Sequence, residues 1–259
     1  MPPHKPARSL VALAALAVAA PAAAYVPMHL NTMPDFAANM ARVMMTNHTG
    51  QVLMQQKAGG GLGGAQPTLA QPAGAPAAGP AAARPGSTRY TPSPQVSAEL
   101  KAALLQKASQ ALGPEAGPKL VAAFANRDPV ALWANAMARN GLHPNDVADV
   151  LASYFVLNWC MANRADLSTP QVIAVRDQMQ RAVASGKVVQ LPDAGRQIVA
   201  ETAMFEFDIQ SAVYANALHQ HDQAALQKLG DAAEQRFQAE EKIDLRNLAI
   251  TPEGLTPKA

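Results

Sequence analysis

The chain has 259 residues, 49% of them hydrophobic and 15% charged, with 21 prolines, 16 glycines, one cysteine, and 21 basic against 19 acidic side chains. A single thiol excludes an intramolecular disulfide framework and a zinc ribbon, and the near-balance of charge excludes a supercharged nucleic-acid binder. These counts fit one ordered domain carrying flexible appendages.

Residues 1–24 open with a basic patch (His4, Lys5, Arg8), continue through an unbroken apolar run at residues 10–20, and close on Pro21, Ala22, Ala23 and Ala24. That is the layout of a secretory signal peptide, with cleavage expected between Ala24 and Tyr25. The run is shorter than the roughly 20 residues a bilayer core requires, and no later stretch reaches that length. The mature chain is therefore expected in the periplasm or secreted, with no transmembrane span. Losing Lys5 and Arg8 leaves 19 basic and 19 acidic residues. A neutral chain without a Lys/Arg cluster lacks the phosphate-neutralising surface that nucleic-acid affinity needs, so no nucleic-acid partner is expected.

Three zones follow. Residues 25–57 are rich in methionine. Asn31 or Thr32 can cap a short helix there, Pro34 suits its first turn, and Phe36, Met40, Val43 and Met44 share one face. Such a helix is marginal alone and needs something to lie against. Residues 58–89 are mostly Ala, Gly and Pro, with Arg84 the only charge before Gly86. Too little apolar surface is available to offset ordering entropy, so this zone reads as a disordered linker. At about 5–6 Å times the square root of length, some 30 residues span roughly 30 Å.

Residues 90–250 read as helices throughout. Residues 94–112 carry Val96, Leu100, Leu104 and Ala108 on one stripe, with Gly113 as a stop, and a second short helix covers 114–126. Asp128 caps a third, with Pro129 at its first position and Gly141 after its last turn. Residues 144–162 are apolar on nearly every side, the pattern of a helix surrounded by others. Ser168 and Gln171 form a capping box around Pro170 and open a helix that runs to Gly186. A long helix runs from about Asp193 to His219, and a last one from Asp222 through Phe237. Val188, Val189 and Leu191 offer a short extended piece without an alternating partner, so no sheet is expected. The fold class that follows is all-α, an orthogonal bundle of about seven helices, with residues 251–259 as a C-terminal tail.

Four blocks, Tyr90 to Ser97 (YTPSPQVS), Asn140 to Trp159 (NGLHPNDVADVLASYFVLNW), Thr169 to Gln180 (TPQVIAVRDQMQ) and Ile243 to Leu255 (IDLRNLAITPEGL), resemble an exported proteobacterial family classed as a domain of unknown function. The resemblance spans Tyr90 to Leu255 and leaves out the leader, the methionine zone and the linker. It implies a periplasmic or secreted helical protein of a Gram-negative bacterium, and no activity.

Enzyme signatures are scarce: no GxSxG elbow, no phosphate loop and no HExxH stand in the chain. No catalytic or cofactor-binding residue is assigned. Met40, Met44 and His48 repeat at i, i+4 and i+8, and thioether plus imidazole suits Cu(I), so copper is one candidate cofactor. The plainer reading makes them the flexible apolar face of a helix that docks on a protein. His219, His221 and Asp222 form a second metal candidate if the helix ends between the histidines; otherwise Asp222 is simply a helix cap. Cys160 reads as a buried small hydrophobe. Asn158 and Glu201 fall on inward faces and need hydrogen-bond partners there, either to fix helix register or as an acid–base group. Asp146 and Asp149 read as favourable charges at a helix N-terminus. The chain is thus expected to be a non-enzymatic binding or structural module of the envelope with a protein partner of unknown identity. A copper-binding protein and a hydrolase with unidentified acids are the alternatives.

Overall fold

The computed structural model describes residues 86–258, and the leader, the methionine zone with Met40, Met44 and His48, and nearly all of the linker lie outside the described residues. Helix α1 (Pro94–Phe124) opens on two residues that favour its start, Ser93 in extended geometry and Pro94. Gly113 (φ 74°, ψ −173°) bends it where the sequence predicted a stop. Pro114 and Pro118 sit in the early turns of the second arm, where their missing N–H groups cost least. The two expected helices are therefore one bent helix. Six α-helices, not seven, are present among the described residues.

The next elements follow their caps. Asp128 Oδ1 accepts from Val130 N at 3.0 Å and starts α2 (Pro129–Met137). Asp146 Oδ1 accepts from Ala148 N at 3.1 Å and starts α3 (Val147–Asn163), three residues later than the Pro144 start read from sequence. Gln171 Oε1 accepts from Ser168 N at 3.0 Å and starts α4 (Thr169–Ser185). The valine-rich piece after it is a short 3-10 turn, Val188–Gln190, rather than an extended segment. Helix α5 (Asp193–His219) is the second longest, and α6 (Gln223–Arg236) runs into a five-residue π turn, Phe237–Glu241.

Helix α3 is the axis of the body, as its all-round apolar pattern predicted. Val147, Val150, Leu151 and Phe155 are fully buried, and α4, α5 and α6 all pack on it. The approach of α6 is set by Gly230, where a Cβ would stand 2.6 Å from the Met161 carbonyl oxygen. A smaller second core joins α1 to α5, with Leu100, Leu104 and Phe124 against Ile198 and Phe205. The Phe124 and Phe205 rings meet at 5.2 Å.

One feature departs from the all-α expectation. Strands β1 (Leu248–Thr251) and β2 (Gly254–Pro257) form an antiparallel hairpin, with Ile250 opposite Leu255 and Thr251 opposite Gly254. Ile250 and Leu255 point into the core, so much of the predicted tail is buried structure. A two-stranded hairpin is marginal in water, and here helix side chains stand in for neighbouring strands. Trp159 Nε1 donates to Leu248 O at 2.8 Å, and Gln171 Nε2 to Ile250 O at 2.7 Å. On β2, Gln178 Oε1 accepts from Leu255 N at 2.7 Å and its Nε2 donates back to Leu255 O at 3.4 Å. Gly254 is required by its backbone angle (φ 116°), and a Cβ there would also displace the Gln178 amide from Leu255.

Candidate functional site

The segment leaving the linker is tied across the starts of α3 and α5. Val147 N donates to Thr88 O and Tyr90 N to Asn145 O, each at 3.0 Å, while the Tyr90 hydroxyl donates to Pro144 O at 2.7 Å. Arg196 on α5 reaches Ser87 O at 2.8 Å, and Asp193 Oδ2 accepts from Thr91 N at 3.0 Å. Two residues on, Gln197 takes Ser93 N at 2.9 Å and returns a bond to Ser93 O at 2.9 Å.

Beneath this strap lies a polar cluster built on two buried acids. Asp149 is fully buried, and its Oδ2 accepts from His143 N at 2.9 Å and faces His143 Nδ1 at 3.1 Å. Gln180 Nε2 spans the two acids, 3.4 Å from Asp149 Oδ1 and 3.5 Å from Asp146 Oδ2. Arg176 and the exposed Arg89 approach them at 3.9 and 3.7 Å. Burial raises the Asp146 carboxyl, the charge of Asp149 adds to this, and the bonds from Thr88, Ala148 and Asp149 oppose it. Both acids do serve the helix start, as the sequence predicted. They are also core residues, which helix-dipole reasoning did not anticipate. Chemically, the cluster holds one half-exposed imidazole in a fixed orientation against a buried carboxylate.

A second polar set crosses the middle of the body. Asn158, fully buried, donates to Tyr154 O at 2.8 Å and accepts from Arg236. Arg236 also reaches Gln210 Oε1 at 3.3 Å, and the Tyr154 hydroxyl donates to Glu206 Oε2 at 2.9 Å. Burial pushes the Tyr154 hydroxyl well above its usual range. Glu201 accepts from Ser97 Oγ and Gln197 Nε2, both at 2.8 Å, joining α1 to α5; burial nonetheless raises its carboxyl. Asn158 and Glu201 thus have the partners their inward positions required.

A family model described as a family of unknown function (DUF6683) matches residues 4–257. The chain belongs to DUF6683. The match takes in residues 4–89, which the four sequence blocks did not reach. Neither the curated proteins nor the solved structures give a match to this DUF6683 member.

In this DUF6683 chain His219 is the last residue of α5, His221 stands in left-handed geometry (φ 52°), and Asp222 caps α6 by accepting from Ala225 N at 2.9 Å. Among the described residues no group of three or more His, Cys, Asp or Glu side chains is arranged to hold a metal ion. Cys160 is partly buried on α3, and burial pushes its thiol up to about 12, followed by the charge of Asp166. No described helix is long and apolar enough to cross a membrane. Sequence reasoning passed over His143, Gln180, Gln178 and Arg236. A signal was present only for His143, which lies six residues before Asp149 in the NGLHPNDVADV block.

Proposed function

We propose that this DUF6683 protein is an exported, non-enzymatic module of the bacterial envelope. Its helical body is a scaffold, and residues 25–57 are a tethered arm that docks on an envelope protein. The observation that carries this reading is the use made of the buried polar groups. Asp146 and Asp149 fix the start of α3 and the loop before it, Gln197 and Glu201 fasten α1 to α5, and Asn158 with Arg236 fastens α3 to α6. Residues spent on joining elements specify one rigid arrangement. Cleavage after Ala24 places Tyr25 at the start of the arm, and the linker lets that arm sweep roughly 30 Å from Thr88. The test is capture by chemical crosslinking in periplasm-containing cells. The mature chain captures a defined envelope protein and the chain lacking residues 25–57 does not, with unchanged folding; equal capture by both forms overturns the reading.

A further inference from the structure

The chain turns back on itself after α6 and brings two acids together. Glu234, in the last turn of α6, is 6% exposed, and its Oε2 accepts from Arg246 N at 3.1 Å. Asp244 Oδ1 accepts from the next amide, Asn247 N, at 2.9 Å and caps the 3-10 turn Leu245–Asn247, which leads straight into β1. Carboxylates bound to consecutive amides stand side by side, and the Glu234 and Asp244 carboxyls are hydrogen-bonded to each other. An ionised carboxylate only accepts, so that bond exists only while one of the two acids holds a proton. Losing the proton leaves two like charges in contact at a largely buried place.

The charged groups around the pair are committed elsewhere. Arg246 Nη2 donates to Asp231 Oδ1 at 2.5 Å and its Nε to Ala162 O at 3.2 Å. From the C-terminal end, Lys258 Nζ donates to Asn163 Oδ1 and Arg246 O, each at 2.7 Å. At the end of α3, Arg164 bonds Gln223. In and beside the π turn, Lys242 Nζ donates to Ala239 O at 2.9 Å, Glu240 lies toward Glu206 and Arg236, and Glu241 feels chiefly Glu240. The side chain that Glu234 does receive is neutral: Gln238 Nε2 donates to its Oε1 at 2.5 Å.

We infer that Glu234 and Asp244 form a proton-sharing clasp that holds the C-terminal hairpin on the helical body, closed in acid and loosened as pH rises. Clasp and hairpin are continuous: Leu248 follows the capped turn, and its carbonyl takes the Trp159 indole N–H at 2.8 Å. An opened clasp therefore frees β1 at the end that covers Trp159. Burial, then the charge and the bond of Asp244, raise the Glu234 carboxyl above its ordinary 4.5, opposed by the bonds from Arg246 N and Gln238. With the hairpin lifted, Glu234 returns to that ordinary range. The closed form thus keeps a proton that the opened form has lost, so the clasp's contribution is complete below 4.5, declines as pH rises through the raised value, and is level above it. Across this window opening becomes more frequent by at most about tenfold per pH unit.

The test is amide exchange at residues 248–257 of the mature chain from about pH 5 to about pH 8, corrected for the intrinsic rise of exchange with pH. A Glu241→Gln background removes the other buried acid of this segment. Hairpin protection is expected to fall several-fold per pH unit and then level off, while residues 147–163 keep theirs. Glu234→Gln preserves the hydrogen-bonding shape without a charge and holds hairpin protection level across the range. Asp231→Asn, which touches Arg246 from the exposed side, leaves the decline in place. Level protection in the parent, a decline that survives Glu234→Gln, or a decline shared equally by residues 147–163 overturns the inference. A carbon-13 titration of the Glu234 carboxyl in the unsubstituted chain decides the matter without any variant: a midpoint well above the ordinary carboxylate range supports the clasp, and one within that range overturns it.

Discussion

Replacing Glu241 with glutamine removes an acid that must hold a proton to stay buried. Glu241 closes the π turn that follows α6, is 1% exposed, and has no hydrogen-bond partner among the described residues on either carboxylate oxygen. Burial, then the charge of neighbouring Glu240, pushes its carboxyl from 4.5 up to about 8. Between those two values the folded chain keeps a proton that the unfolded chain has lost, so stability declines as pH rises through this window. At about 1.36 kcal/mol per pH unit, the penalty is near zero at pH 4.5 and reaches about 3 kcal/mol at pH 7 as an upper bound. Glutamine keeps the shape without the titration, and its buried amide costs about as much as the neutral acid it replaces. Glu241→Gln is therefore expected to stabilise the mature chain by about 2–3 kcal/mol at pH 7, a rise in Tm of roughly 4–12 °C, with little change at pH 4.5. Thermal unfolding followed by circular dichroism from pH 4.5 to 8.5 makes the comparison. A variant less stable than the parent at pH 7, or a parent whose Tm is level across the range, would show that the carboxylate is satisfied in its ionised form.

Three further outcomes follow from the same structure. Gln178→Ala strips both hydrogen bonds from Leu255 and should cost about 1–3 kcal/mol, with faster amide exchange confined to residues 248–257; uniform acceleration across the chain would contradict the edge-covering role. Cu(I) titrated into the mature protein is expected to show no affinity tighter than micromolar, and a tighter site that disappears in a Met40→Leu/Met44→Leu double variant would favour the copper reading instead. Intact-mass measurement of the exported protein should give a chain that begins at Tyr25, whereas a retained leader would refute the cleavage expected after Ala24.

The helical part of the fold was legible because its signals are local. Asp128, Ser168 and Asp222 announced three helix starts, and the all-round apolar run from Val147 to Trp159 announced the central helix, whose cap Asp146 was read only as a first-turn charge. Gly113 was read correctly as an interruption but not as a bend, since nothing in the sequence says whether two arms remain continuous through a glycine. The hairpin was missed for a different reason. Its strands have four residues each, too few to display alternation, and what holds them is supplied from α3 and α4 by Trp159, Gln171 and Gln178. Such long-range pairing leaves no trace in local pattern. The same limit applies to the polar clusters. Asn158 could be seen to need a partner, but Arg236, 78 residues away in sequence, becomes one only once the helices assemble, as does Gln180 for Asp146 and Asp149.

The account stands on a body that folds without its arm, and amide hydrogen exchange on the mature chain with and without residues 25–57 tests that most directly. Protection along residues 147–163 should be the same in both forms. Loss of protection along the whole of α3 would mean that the methionine-rich segment belongs to the core, and the division into scaffold and arm would fall.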